Sequence, residues 1–327
     1  MSKSTFYAGI DVGQDELWAA IDGKKARPFA SDRRGIKQMW NWIKKCAHDN
    51  LVHFGMEATG VYSYRLAEIL LAYPDTTVSI VNPAQIAAFS KAQLRRTKTD
   101  SVDAQVILDF VTSQKPPVWT PEPASLRKLY HLVNMADALK EELRQWKNRQ
   151  HSYQYIEDLP KEILKSQKTL IKNLTNQLNK IEQSIKKLCL SDERLQSQMT
   201  LLCSIPGLAE ISAVRLLAYG KTALTTHSKK ELTAHAGLAP SHKQSGISVH
   251  GKSFISKKGN KKLRKTLFMP ALVGIVHNPI IKAFYQNLLK KGKPKKLAVI
   301  ACMRKLLIMA QTILLKKTPF KPIYSLT

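Results

Sequence analysis

Up to about Thr120 the hydrophobic positions change period repeatedly, as they do where strands and helices alternate. Phe6–Val12 and Leu17–Ile21 alternate or run apolar around the turn Asp11-Val12-Gly13-Gln14-Asp15, which predicts a hairpin. Ser31 or Asp32 can cap a helix carrying Ile36, Met39, Trp40 and Ile43. Leu51–Met56 reads as a buried strand and Tyr62–Tyr73 as a helix. Thr77–Val81 is a strand ended by Asn82-Pro83, and Ala84–Leu94 and Asp100–Ser113 are helices. Pro116-Pro117 and Pro121-Glu122-Pro123 then break the pattern and predict a domain boundary.

Beyond the prolines the period is helical throughout. Leu126, Leu129, Val133, Ala136, Leu139, Leu143 and Trp146 mark one long helix to about Gln154. A second starts near Pro160, a residue suited to a first helical turn. From Leu164 through Gln167, Ile171, Leu174, Leu178, Ile181 and Ile185 to Leu188 its seam advances in alternating steps of three and four, a heptad pattern. That seam fits an intramolecular antiparallel hairpin, a dimerisation coiled coil, or both. From about Met199 come Ile205-Pro206-Gly207, a helix at Ala209–Tyr219, a short helix at Glu231–Ala236 and a polar stretch at Pro240–Asn260. Helices at Lys261–Val276 and Pro294–Leu315 follow the stretch, the second after the basic turn Lys290–Lys293. The Ile-Pro-Gly turn suits either a phosphate-contacting helix-hairpin-helix or a packed joint. The domains expected are therefore 1–120, α/β; 121–198, a helical coiled-coil region; and 199–327, basic and mainly helical.

Charge changes this picture. The 327 residues carry 52 Lys+Arg against 24 Asp+Glu, a net charge of +28. From Ile205 to Thr327 there are 23 basic residues and two acids, Glu210 and Glu231, leaving +21 of that total. An excess so concentrated is the footprint of a polyanion partner. No uninterrupted apolar run reaches the roughly 20 residues that span a bilayer, and Met1–Thr5 leads straight into a strand without a signal-peptide core. Neither a membrane nor an exported setting is expected. Cys46, Cys189, Cys203 and Cys302 are scattered, without metal-ligand or disulfide spacing, which suits a reducing cytoplasm.

Four carboxylates are the candidate chemistry. Asp11 closes the first strand and Glu57 the strand at Leu51–Met56. Asp100 and Asp103 lie one helical turn apart at a helix start. Singly they read as turn residues, caps or dipole partners. Together they form a set of hard oxygen donors that suits two Mg²⁺ ions and phosphoryl transfer. The order of elements, with a hairpin after the first acid, a later strand ending in the second, and a helical acidic pair, resembles the RNase-H-like, RuvC-type nuclease fold. The polar stretch, with Ser245-Gly246 among lysines, is by itself a turn or a phosphate-binding loop. Lys243, Lys252, Lys257, Lys258, Lys261, Lys262 and Arg264 are its candidate phosphate contacts.

Across nearly the whole chain the motifs occur in one order. They are Tyr-Ala-Gly-Ile-Asp-Val, Met-Glu-Ala-Thr-Gly, Val-Asn-Pro and Lys-Thr-Asp-Ser-Val-Asp-Ala, then Ile-Pro-Gly, Ala-Gly-Leu-Ala-Pro, Gln-Ser-Gly and Ser-Lys-Lys-Gly-Asn-Lys-Lys-Leu-Arg. Together they resemble the DEDD insertion-sequence transposases of the IS-one-ten type, relatives of the Piv DNA invertases. The resemblance implies recombination of donor and target DNA by a bacterial, nucleoid-associated homo-oligomer, a dimer or tetramer. It implies a structured bridge RNA as guide, metal-binding acids at Asp11, Glu57, Asp100 and Asp103, and a nucleophilic serine. Ser245 is the choice over Ser241 and Ser248, because Gly246 permits close backbone approach. The alternatives are a Mg²⁺-dependent nuclease such as a Holliday-junction resolvase, which needs no serine, and a non-catalytic nucleic-acid-binding protein.

Overall fold

The computed structural model describes residues 4–94, 99–241, 244–245, 249–250 and 254–321. The chain divides into two compact units, Met1–Pro121 and Glu122–Thr327.

The first unit is α/β. Its elements are β1 (Thr5–Val12), β2 (Glu16–Ile21), β3 (Lys24–Ala30), α1 (Arg33–Ala47), β4 (Leu51–Glu57), α2 (Val61–Leu70), β5 (Thr76–Val81), α3 (Pro83–Ala92) and α4 (Asp100–Gln114). They build one mixed sheet in the order β3-β2-β1-β4-β5. The first three strands form an antiparallel meander, and β1, β4 and β5 run parallel. The alternation of side chains divides β1 and β4 between two faces. Ala8, Ile10, Val52, Phe54 and Met56 join Ile36, Met39 and Ile43 of α1 and Leu66 and Leu70 of α2 in one core. The cap of α1 is Asp32 rather than Ser31, since its carboxylate accepts from the Gly35 amide at 2.7 Å.

The opposite face is covered by α4, and two glycines let it approach. Gly9 and Gly55 are register partners on β1 and β4. A Cβ on Gly9 would lie 2.7 Å from the Leu108 Cα and closer still to the Ala104 carbonyl, both of α4. A Cβ on Gly55 would run into the Val111 side chain. A Gly→Ala change in extended backbone ordinarily stabilises slightly by restricting the unfolded chain. Here the contact is with helix backbone, which cannot rotate away. Gly9→Ala is expected to cost about 2–3 kcal/mol, as overpacking does, with α4 displaced from the sheet. Urea unfolding would show it; a variant as stable as the wild type would contradict the close approach.

β3 has no counterpart in the sequence expectation. Its segment Lys-Lys-Ala-Arg-Pro-Phe-Ala is half polar and contains Pro28. It is held by backbone pairing to β2 at the sheet edge, where proline is tolerated. After α4, the Trp119 amide donates to the Val78 carbonyl at 2.7 Å, and the Ser79 hydroxyl donates to the Pro117 carbonyl at 2.8 Å. The proline segment therefore runs back along β5 before the unit ends.

The second unit is mainly helical, with α5 (Ala124–Tyr153), α6 (Lys161–Ser191), α7 (Glu193–Cys203), α8 (Glu210–Gly220), α9 (Ala223–Thr226) and α10 (Lys229–His235). Four short strands follow, β6 (Pro240–Ser241), β7 (Gln244–Ser245), β8 (Val249–His250) and β9 (Phe254–Ile255). The last helices are α11 (Lys261–Thr266), α12 (Phe268–His277), α13 (Pro279–Lys290) and α14 (Lys295–Lys316). Helices α5 and α6 pack as an antiparallel pair. Lys140 meets Glu182 at 2.6 Å, and the Gln167 amide donates to the Trp146 carbonyl at 3.3 Å. The seam residues Ile171, Leu174, Leu178, Ile181 and Ile185 stay only half-buried. The expected polar seam residue Gln167 is itself buried.

Helix α13 was not expected from the sequence, which read only two apolar helices after Lys261. It is set by Asn278, whose side chain caps the Ile280 and Ile281 amides, followed by Pro279. Helix α14 is long and apolar enough to cross a membrane by length and composition. Arg304 and Lys305 interrupt it, and Cys302, Met303, Leu306, Leu307 and Ala310 bury one side of it in the unit's own core. That burial accounts for its composition. The Ile-Pro-Gly turn is spent on packing: Gly207, at φ +105°, lies against Pro270 and Gly274 of α12, and the Asn278 side-chain Nδ2 donates to the Pro206 carbonyl.

Candidate active site

Asp11 and Glu57 each stand two residues after a platform glycine, in Gly9-Ile10-Asp11 and Gly55-Met56-Glu57. Side chains two apart share a sheet face. Both carboxylates therefore belong to the face that α4 covers, and the last register pair, Ile10 with Met56, places them on neighbouring strands at the same level. The loop after Glu57 is tied to β1, because the Thr59 hydroxyl donates to the Val12 carbonyl at 3.5 Å.

Helix α4 brings the other two acids. Ala104, Ile107, Leu108 and Val111 are its buried side. Asp100 and Asp103 continue that side one turn toward the N-terminus, past the glycines. Thr99 caps the helix by accepting from the Val102 amide, and the first turn offers its dipole to both carboxylates.

The four acids feel one another. The Asp11 carboxyl is pushed up to about 6, first by burial, then by the charges of Asp103, Asp100 and Glu57; the Val12 amide pulls it partly back. A carboxylate so repelled is stabilised by a cation, and the donor set is all oxygen, which suits a hard divalent ion. Among the described residues no three metal-binding side chains are yet close enough together to cage one. The three other acids act on Asp11 through their charge.

In the second unit the described residues of the polar stretch pair as short antiparallel strands, a β-ribbon. Pro240 and Ser241 pair with Ile255 and Phe254, and Gln244 and Ser245 pair with His250 and Val249, all antiparallel. Among the described residues, Ser245 is the last paired residue of its strand. Lys243, Gly246, Ser248 and Lys252 lie outside the described residues. The base of the ribbon is a joint of two glycine turns. Gly237, at φ +66°, abuts the Arg264 guanidinium and Lys258 backbone; Gly259, at φ +134°, abuts His235 and Ala234. The Asn260 amide donates to the His235 carbonyl at 2.7 Å, while its side chain caps α11.

The candidate phosphate contacts divide accordingly. Lys257, Lys258, Lys261 and Lys262 are exposed. Lys262 also reaches the Asn134 side chain and lies over the Tyr219 ring. Arg264 is half-buried and donates to the Ala236 carbonyl at 3.0 Å, so its first role is to clamp the turn that carries the ribbon. The platform glycines were missed by sequence reasoning. Their signal was present, since each stands two residues before an acid.

Comparison with known proteins agrees with these features. A transposase family model, of the DEDD type named for IS110, matches residues 8–153. A second, described as "Transposase IS116/IS110/IS902 family", matches residues 199–286. The pilin gene-inverting proteins of Moraxella bovis and Moraxella lacunata are 32% and 31% identical over 326 residues, covering 98% of each chain. An uncharacterised 43.6 kDa protein of insertion element IS110 from Streptomyces coelicolor is 29% identical over 103 residues, 32% of this chain and 25% of its own length. With both units matched and the acids at adjoining strand ends, the chain belongs to the IS110 family of transposases and DNA invertases, enzymes that cleave and transfer DNA strands.

Proposed function

We propose that the protein is a site-specific DNA recombinase that joins donor to target DNA through a serine–phosphate link, guided by a structured bridge RNA. The carrying observation is the placement of Asp11 and Glu57 at the ends of neighbouring parallel strands, with Asp100 and Asp103 in the first turn of the helix that covers that face, in the strand order β3-β2-β1-β4-β5. That strand order, with an antiparallel meander followed by parallel strands, supports an RNase-H-like, RuvC-type reading of the first unit. Asp11, Glu57, Asp100 and Asp103 would hold Mg²⁺, two ions being the number a pair of strand-end acids and a helical pair suit. Such ions supply charge neutralisation and Lewis-acid polarisation at a scissile phosphate.

The protein's own groups do the rest. The exposed lysines at 257, 258 and 261 hold phosphates by charge. The Ser245 hydroxyl attacks phosphorus, losing its proton, and a sugar hydroxyl leaves with a proton. One ester bond replaces another, so the energy of the phosphodiester is kept and no nucleotide cofactor is required. Attack by a hydroxyl from the other duplex reverses the step and reseals the strand. Exchange between two duplexes needs two such centres, which implies a dimer or tetramer of this chain. The setting would be the bacterial cytoplasm, at the nucleoid.

Denaturing gels of DNA reacted with the full chain and its co-purified RNA test the reading. A protein-linked strand is expected, together with one recurrent structured RNA in the sequenced eluate. A free cut strand without protein would indicate the nuclease alternative, and no cut in any condition the binding-only one.

A further inference from the structure

Leaving the ribbon, the chain enters α11 and then α12 through Leu267, which keeps right-handed helical backbone. Leu263, Leu267, Pro270, Ala271 and Gly274 form the buried side of this path. Counted at the helical repeat, Lys261, Lys265, Phe268, Met269, Val273 and Val276 form the opposite side. Both lysines are exposed. Phe268 is 47% exposed, Met269 62%, Val273 42% and Val276 60%. One helical face thus begins cationic beside the ribbon and becomes apolar within two turns. Large exposed apolar side chains in sequence call for a partner.

The partner must suit both halves of the face. Lysines followed by an aromatic and a flexible thioether match a duplex, whose phosphates lie outside and whose bases offer apolar faces once unstacked. Charge complementarity favours this occupant, because Ile205–Thr327 carries +21 with only Glu210 and Glu231 as acids. A second copy would bring the same cations against themselves. Continuity favours it too: Asn260, which caps α11, also ties the ribbon base to His235.

We propose that this face is a DNA wedge, with Lys261 and Lys265 seated on backbone phosphates while Phe268 and Met269 insert between base pairs beside the strand presented to Ser245. The proposal rests on the recombinase reading for the identity of the DNA. Its physical content is separate: opening a base step would expose the phosphate that the ribbon must reach.

The test uses the full chain with its co-purified RNA and mixed-sequence duplexes carrying 2-aminopurine at one adenine position at a time. Its fluorescence rises when the base is unstacked. The wild type is expected to give a clear rise at some positions. Phe268→Ala with Met269→Ala should abolish the rise and weaken binding about tenfold, as losing one base–aromatic stack does. Phe268→Trp should restore it. Lys261→Ala and Lys265→Ala should each lower the log–log salt slope by about one, while the wedge substitutions leave that slope unchanged. No rise at any position with the wild type overturns the proposal, as does a rise that survives the double change. So does a double variant whose only effect, by sedimentation, is to dissociate an oligomer. Failure of the parent reading looks different: a normal fluorescence rise without any protein–DNA adduct removes the serine chemistry and leaves the wedge.

Discussion

Replacing Asp11 with asparagine is expected to end DNA cleavage and, without divalent cations, to make the protein more stable. The sign follows from the titration. The Asp11 carboxyl rises from 3.8 to about 6 on folding, through burial and through Asp103, Asp100 and Glu57. The folded chain therefore holds the proton more tightly than the unfolded one. Stability is greatest, in this respect, below the unfolded value, falls as pH rises from about 4 through about 6, and is fully reduced above that. The full shift corresponds to about 3 kcal/mol. Asp11 is only part-buried, and solvent screening reduces this to about 1–2 kcal/mol. At pH 7.5 in chelator, Asp11→Asn should melt higher than the wild type, and the gap should close toward pH 4. Added Mg²⁺ should stabilise the wild type more than the variant, because the cation relieves a repulsion the variant lacks. Wild-type cleavage by Asp11→Asn would remove the acids from the chemistry. An unchanged melting curve in chelator would mean that neither burial nor the other three charges act on Asp11.

The second large effect concerns Ser245. Ser245→Ala is expected to abolish both the protein–DNA adduct and recombination, while changing stability by less than about 0.5 kcal/mol, as is usual for a small substitution in a polar stretch. RNA and DNA affinity should persist, since the lysines supply it. Ser241→Ala and Ser248→Ala are the controls and should still form the adduct. Mass spectrometry of the trapped, digested complex locates the nucleotide-bearing peptide. An adduct on Ser241 or Ser248 would move the nucleophile along the ribbon. Recombination by Ser245→Ala with no adduct anywhere would refute the serine mechanism and leave strand transfer to a water or DNA hydroxyl activated at the acids.

Both predictions begin from residues that the sequence already singled out. Their order along the chain, the prolines before Glu122 and the motif series were legible because each is local. Strands β1, β2, β4 and β5 were legible for the same reason, having period-two apolar runs or buried runs closed by turn residues. Elements without such a pattern were not. β3 is an edge strand held by backbone pairing, so its side chains carry little trace of it. Helix α13 follows a two-residue joint that periodicity alone reads as an interruption. The described residues between Pro240 and Ile255 pair through short backbone rungs, and the polar composition of the stretch reads as loop.

By itself, then, the sequence determined that an acidic set and a basic, serine-bearing stretch belong to separate parts of one chain, because residue type, capping and spacing are fixed by neighbours in sequence. Only the tertiary structure decided that the acids are coupled. That depends on the parallel register of β1 with β4, and on Gly9 and Gly55 admitting α4 onto the sheet, contacts between residues far apart in the chain. It also decided which basic residues are spent inside the fold, as Arg264 is on Ala236, and which face of α12 remains uncovered. An apolar helix looks the same in sequence whichever side it buries; the packing of its neighbours makes that choice.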